Sequence, residues 1–403
     1  MSVDAIAAEV LGEIRRGGTY RRMRELDGAQ GPRMTVDGQS VLLFAGSNYL
    51  DLAHHEEVTE AAARAARDQG CASGGSRLIN GNLAEHEALE EELAHFFGRE
   101  AALAFNTGYM ANVGLIPALV GPEDLIVSDA LNHASIIDGA RLSRAKVKVF
   151  PHGDLDALEQ TLREARKPGR RVLLALDGIY SMDGDVAPIA AAAELAQQYE
   201  AILLLDDAHG TGTLGHTGRG SAEHCGVDDE AVPILMGTLG KAIGSFGAFV
   251  VGSHALRDLL INTARSFIFS CALPPPQVAA SRAALRVLQQ EPWRRQALQE
   301  NARLLRERLR AQGLSSAPST THIVPVILGD NAITMAICDA LLEAGFYAQG
   351  IRHPSVPRGR ARLRITPMAT HTEAEINAVA EAIGKGVAAY PATDIPAFDL
   401  EGQ

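Results

Sequence analysis

A chain of 403 residues, 46% of them hydrophobic, can bury a large core, and its length fits one large domain with a smaller one. The formal net charge of −12 argues against a generic nucleic-acid binder, because a phosphate backbone calls for an excess of Lys and Arg on the binding face. Cys71, Cys225, Cys271 and Cys338 form no CxxC pair, which implies neither a disulfide framework nor a metal site, and neither a signal-peptide core nor a membrane-length apolar run is found. The expectation is a soluble, cytoplasmic protein that binds neither nucleic acid nor membrane.

In chain order, residues 1–45 read as an N-terminal arm. Arg15, Arg16, Arg21, Arg22 and Arg24 make it densely basic, and charge alone describes a solvated helical face. From Val41 onward short apolar runs alternate with helical patterns, the signature of an α/β fold. A helix is expected after Asn82, with Glu85 as capping partner, Leu89, Leu93 and Phe96 on one face, and Gly98 as its stop. Strands are predicted at Val147 to Phe150, Val172 to Leu176, Ile202 to Leu205, Pro233 to Met236 and Ala248 to Val251. All but the first are continuous apolar runs of the kind buried on both faces of a sheet. These elements describe a large domain over 46–283 with a mostly parallel sheet covered by helices.

Pro274-Pro275-Pro276 breaks the pattern. Beyond it Leu298, Ala302, Leu305 and Leu309 predict a long amphipathic helix, and a smaller α+β domain is expected over 284–389. Its parts are a strand at Ile323 to Leu328, a helix near Ala332 to Glu343, a strand at Arg362 to Thr366 and a helix from about Glu373. Residues 390–403 read as a loosely held tail.

The chemistry concentrates at strand ends. Leu205-Asp206-Asp207-Ala208-His209-Gly210 is an apolar strand that runs into two carboxylates and a histidine, at the edge where parallel sheets bind ligands. A single Asp there would be an ordinary polar strand end. A second strand end follows, Gly237-Thr238-Leu239-Gly240-Lys241. Two decoys fail beside them. Gly210 to Gly215 matches G-x-G-x-x-G, but a polar stretch separates it from its strand, no apolar helix opens after it, and no second strand ends in an acid at the expected distance. Gly240-Lys241 suggests a P-loop, but Leu235 stands where the first Gly belongs and Ala242 where Ser or Thr must bind magnesium. What remains is a lysine in a glycine-lined turn, a setting that suits imine formation by its amine. A surface lysine is the plainer alternative.

With these motifs in order, the sequence resembles the fold-type I pyridoxal 5'-phosphate enzymes of the α-oxoamine synthase group, from about Arg15 to Val379. Asn106 to Asn112 resembles the family's phosphate-binding turn, which implicates Gly108 and Tyr109 at a helix start. Asp129 to Ser135 resembles the segment whose histidine, here His133, stacks on the cofactor ring. Asp177 to Asp185 resembles the next loop and makes Ser181 a cofactor-contacting hydroxyl. The resemblance further implies that Asp206 pairs with the ring nitrogen, His209 bonds the phenolic oxygen, Thr238 bonds the phosphate, and Lys241 holds the aldehyde carbon and then carries protons. Lys241, His133 and Asp206 are thus the implied catalytic residues. Arg364 resembles the arginine that clamps an amino-acid carboxylate, although Arg362, two residues away, shares its strand face.

Within the group, an amino acid loses its α-proton or carboxylate and the resulting carbanion attacks an acyl thioester. Asn262 to Phe269, Ala272 to Pro275 and Gly350 to Pro357 are more similar to the oxononanoate-synthase branch than to the 2-amino-3-ketobutyrate ligases. That branch implies L-alanine and a pimeloyl thioester, on coenzyme A or acyl carrier protein, as substrates. It also implies substrate contacts from Arg21 and from Ser355, the latter in place of a usual Thr, and a homodimer with active sites at the subunit boundary. Two positions depart from the pattern: Ser47 stands where the family has a substrate-contacting Asn, and Asp51 where Gly is usual. Ser128 to Arg141 resembles the ligases nearly as well. The alternatives are therefore a ligase acting on glycine and acetyl-CoA or, from another class, a pyridoxal-phosphate aminotransferase with the same fold and lysine.

Overall fold

A computed structural model describes residues 2–390 as two compact units. The larger comprises 47–181 and 185–298. Its sheet has seven strands, in the spatial order Ala101–Phe105, Ala248–Gly252, Ile234–Thr238, Ile202–Asp206, Val172–Asp177, Leu125–Asp129 and Lys146–Phe150. Only Ala248–Gly252 runs against its neighbours. The predicted strands are all present, and their composition follows their place. Val172–Asp177 and Ala248–Gly252 are buried at every residue, whereas the edge strand Lys146–Phe150 buries only Phe150 and so admits Lys146 and Lys148.

Helices close both faces. Gly108–Leu119 and Ala134–Ser143 pack Leu115, Ile116 and Ile136 onto Leu173, Leu204 and Val250 of the sheet. Burying each such side chain is worth roughly 1.5–3 kcal/mol. On the same unit, Pro275–Gln290 packs against Glu56–Gln69.

Two local expectations need correction. The helix after Asn82 is Ala84–Phe97, and its cap residue is Leu83, whose N–H donates to His86 Nδ1 at 3.2 Å. The Asn82 amide instead donates to Glu87 at 2.9 Å, and Glu85 pairs with Arg282. Gly98 ends the helix at φ +66, as expected. The proline run does not break the fold: Pro275 and Pro276 open the Pro275–Gln290 helix, where a missing N–H costs nothing. Because that helix belongs to the larger unit, this unit runs on to 298, past the 283/284 division read from the sequence.

The smaller unit comprises 2–46, 182–184 and 299–390. Its three-stranded antiparallel sheet, Val324–Gly329, Ala361–Ile365 and Gln349–Ile351, packs Leu363 and Ile365 with Ala302, Leu305 and Leu309 of the helix Trp293–Ala311. The apolar face expected for that helix is thus the buried one. Phe346–Tyr347 pairs parallel with Gln39–Leu43, so the N-terminal segment folds into this unit. The helix Val3–Arg16 buries no residue, in keeping with its charge. Glu373–Ala389 is capped by Thr372 and Glu375, each side chain accepting the other residue's N–H. Of the expected tail only Tyr390 is described. No helix among the described residues is long and apolar enough to cross a membrane.

Candidate active site

In the larger unit, a cavity of about 160 Å³ opens beyond the carboxyl ends of Ile202–Asp206 and Ile234–Thr238. Gly108, Tyr109, His133, Asp206, His209, Thr238 and Lys241 line it, together with Ser135, Asp177 and Met236. Parallel strands deliver these groups because successive strand ends point the same way and the loops after them share one rim.

Asp206 lies at the bottom, 5% exposed. Its Oδ2 accepts from Asn112 Nδ2 at 2.7 Å and its Oδ1 from the Ala208 N–H at 3.1 Å. Asn112 stands one turn along the helix from Gly108, so both face the cavity side. The same amide donates to Ser135 Oγ at 2.9 Å, and that hydroxyl lies 2.7 Å from His133 Nδ1. The Ser135 N–H also donates to His133 Nδ1, at 3.2 Å. Nδ1 is therefore an acceptor, which leaves the proton of the neutral ring on Nε2. Burial pushes the His133 imidazole below its ordinary range against the pull of Asp206, and the Lys241 charge adds to the lowering.

The two adjacent carboxylates separate by partner. Asp207 turns to the Ser221 hydroxyl and to its N–H at 3.0 Å, and burial pushes it up to about 7 against those bonds. Asp206 is the one that lines the cavity. Asp177, buried at the neighbouring strand end, is pushed well above the usual carboxylate range by burial and by Asp206, and it accepts the His133 N–H at 3.4 Å.

Lys241 Nζ is 2.8 Å from His209 Nε2, and His209 Nδ1 is 2.8 Å from the hydroxyl of Tyr49, a residue that is 1% exposed. Thr238 Oγ1 donates to the Gly247 carbonyl at 3.0 Å and accepts the Gly240 N–H at 3.2 Å, which fixes the turn that carries the lysine. That turn needs glycine at 244: φ is +67, and a Cβ there would lie 2.5 Å from the Ala53 nitrogen. The loop it touches holds Asp51 at φ +54, explaining why Gly suits this position; Asn48 stabilises Asp51 by donating to its carboxylate at 3.2 Å.

On the same cavity, Thr107 caps the helix Gly108–Leu119 by accepting the Met110 N–H at 3.1 Å. The N–H groups of Gly108 and Tyr109 have no acceptor within their own helix and form an anion-binding end. A buried carboxylate, a lysine amine next to an imidazole, and a helix N-terminus that shares the cavity with Thr238 make a donor set that fits a phosphorylated pyridine aldehyde. Asn112, Ser135, Asp177 and Tyr49 were not singled out from the sequence. The spacing of Asn112 from Gly108 and of Ser135 from His133 carried a signal; Tyr49 had none.

Not every expected residue lines the cavity. Ser181 lies in the larger unit but outside the lining, in the turn after Gly178. Arg21, Ser355 and Arg364 belong to the smaller unit. There Arg21 Nη2 donates to Ser355 Oγ at 3.3 Å, so two residues 334 apart in sequence meet. Arg362 is 2% exposed and committed to the Asp183 carboxylate and to the Met182 carbonyl at 3.1 Å. Arg364 beside it stays half-buried, which separates the two arginines that sequence alone could not.

The family model of class I and II aminotransferases matches residues 39–383. The 8-amino-7-oxononanoate synthase of Geobacter sulfurreducens is 49% identical over 94% of this chain and 97% of its own length. That of Geobacter metallireducens is 50% identical, covering 94% and 98%, and that of Cellvibrio japonicus 46%, covering 95% and 96%. Among solved structures, a serine palmitoyltransferase with a pyridoxal-phosphate internal aldimine superposes with a TM-score of 0.90 at 32% identity over 96% of this chain and 97% of that one. The 8-amino-7-oxononanoate synthase of Francisella tularensis superposes at 0.75, with 28% identity over 87% and 98%. On the strength of this likeness along nearly its whole length, the chain belongs to the 8-amino-7-oxononanoate synthase family of pyridoxal-phosphate-dependent acyltransferases.

Proposed function

We propose that the protein condenses L-alanine with a pimeloyl thioester, on coenzyme A or acyl carrier protein, releasing carbon dioxide and the carrier thiol and forming 8-amino-7-oxononanoate. One observation carries the reading: Asp206, His209 and Lys241 converge on a single cavity in a chain 49% identical to a synthase of that name. Pyridoxal phosphate, once bound, supplies an electron sink for the charge left on the amino acid's α-carbon. Asp206 would hold a proton at the ring nitrogen, with Asn112 fixing the carboxylate that does so. His133 would stack on the ring, His209 would bond its phenolic oxygen, and Ser181 would add a hydroxyl from the loop outside the cavity lining. Thr238 and the N–H groups of Gly108 and Tyr109 would take the phosphate. Lys241 Nζ moves the proton at the α-carbon, with His209 Nε2 at 2.8 Å as its partner. Arg364 clamps the α-carboxylate with its planar fork, while Arg21 and Ser355 contact the acyl substrate.

The same reading makes the protein a cytoplasmic homodimer. Large apolar residues stand exposed near one another in support of the pairing: Ile79 is 84% exposed and Phe269 70%, and a bridge between Ser76 and Cys271 joins their loops. Mass-spectrometric identification of products from a panel of amino acids and thioesters tests the reaction. The expected outcome is 8-amino-7-oxononanoate from L-alanine and a pimeloyl thioester. Selective turnover of glycine with acetyl-CoA would move the protein to the ligases. Transfer of the amino group to a keto acid without carbon dioxide release would make it an aminotransferase.

A further inference from the structure

His152 was not singled out from the sequence and lines no part of the cavity, yet two carboxylates hold it. Its Nδ1 lies 3.0 Å from Asp129 Oδ1 and its Nε2 2.9 Å from Asp185 Oδ2. Its ring stands edge-on to Tyr180, with centroids 4.3 Å apart and planes at 80°. An acceptor at each ring nitrogen requires both nitrogens to donate, so the ring is an imidazolium. Burial alone would push it down; the hydrogen bonds and charges of Asp129 and Asp185 hold it at about 10 instead.

The two carboxylates come from different segments. Asp129 ends its strand and shapes the turn that delivers His133: its Oδ1 accepts the Leu131 N–H at 2.8 Å and its Oδ2 the Gly153 N–H at 3.1 Å. Asn132 completes that turn by donating to the Ala175 carbonyl at 2.7 Å and accepting the Asp177 N–H at 3.0 Å. Asp185 closes the loop that contains Ser181. Its carbonyl accepts the Tyr180 N–H at 3.1 Å, and the Ala187 N–H donates to the Gly178 carbonyl at 3.1 Å. The Asp129 side chain is 1% exposed and that of Asp185 16%, so without a cation between them two desolvated carboxylates would repel.

We propose that His152 is a positioning residue that ties the His133 turn to the Ser181 loop and holds in register the two segments assigned to the cofactor. The inference rests on the reading of His133 and Ser181 as cofactor contacts. It places at this tie a group that acts through its neighbours and touches neither cofactor nor substrate.

The test is an absorbance titration of the apo-protein with pyridoxal phosphate, with no substrate present. His152→Gln is expected to weaken cofactor affinity about tenfold or more, the scale on which outer supports of a site act. Asp185→Ala removes the acceptor and cuts the same tie while leaving His152 on Asp129, and should reproduce most of the loss even if the histidine variant folds poorly. The double variant should bind no more weakly than His152→Gln alone, because both changes break one link. Losses that multiply in the double variant, or unchanged affinity in Asp185→Ala, would overturn the proposal. So would a lower melting temperature with unchanged affinity, which is the mark of a purely stabilising residue. His133→Ala separates the two kinds of failure. If it weakens cofactor binding while the tie variants do not, only the tie is wrong; if it binds like the parent, the reading of the site beneath it is wrong too.

Discussion

The cofactor cavity and the proposed substrate contacts are built in opposite ways. In the larger unit His133, Ser135, Asn112 and Asp206 form one continuous chain of hydrogen bonds of 2.7–2.9 Å, rooted in strand ends and helix starts. In the smaller unit Arg21 and Ser355 meet at 3.3 Å on exposed loops. Groups that must face developing charge are held rigidly, as electrostatic preorganisation requires. The groups proposed to contact the acyl substrate sit on segments that can change with little cost to the fold.

A graded series of substitutions tests that contrast. The largest effect is expected for Lys241→Ala, which should abolish turnover in a single-turnover assay, because no other lysine among the described residues lines the cavity. Asp206→Asn comes next. It should slow α-proton exchange with solvent, followed by NMR, by on the order of a hundredfold or more while far-UV circular dichroism stays unchanged; unaltered exchange would remove the role from Asp206. Tyr49→Phe removes the hydroxyl behind His209 and should lower kcat by about tenfold, with less effect on KM. Arg21→Ala should raise KM for the pimeloyl thioester and leave alanine and cofactor binding nearly unchanged, the pattern of a contact remote from the reacting atoms. Equal weakening for both substrates would erase the division of labour between the two regions.

The smallest effect concerns pH. His152 is raised in the folded protein from 6.5 to about 10, so its contribution to stability is complete below pH 6.5 and is lost as pH rises through about 10. The melting temperature of the apo-protein should fall across that window, and His152→Gln should flatten part of the decline.

How much of this was legible in the sequence depended on whether partners were neighbours in the chain. Asp206, His209 and Lys241 stood out because each follows an apolar run that reads as a buried strand. The amphipathic face of Leu298, Ala302, Leu305 and Leu309 was equally plain, and all four are fully buried. Tyr49 was not legible, since it meets His209 across 160 residues; Asn112 had only its spacing from Gly108 as a signal, because its partner Asp206 lies 94 residues away. The strand Ala101–Phe105 escaped because Ala and Leu favour helix locally, a preference that burial within the sheet overrides. Leu83 replaced Asn82 as a cap because the Asn82 side chain had a better partner in Glu87. The glycine preference at 51 became a physical statement only when its φ was known.

The central claim is that Lys241 is the cofactor's covalent anchor in a cavity floored by Asp206. Borohydride treatment of the protein loaded with pyridoxal phosphate, followed by proteolysis and peptide mass mapping, tests it directly. A single phosphopyridoxyl group is expected, on the peptide that contains Lys241. A stable label on any other lysine, or none on Lys241, would contradict it.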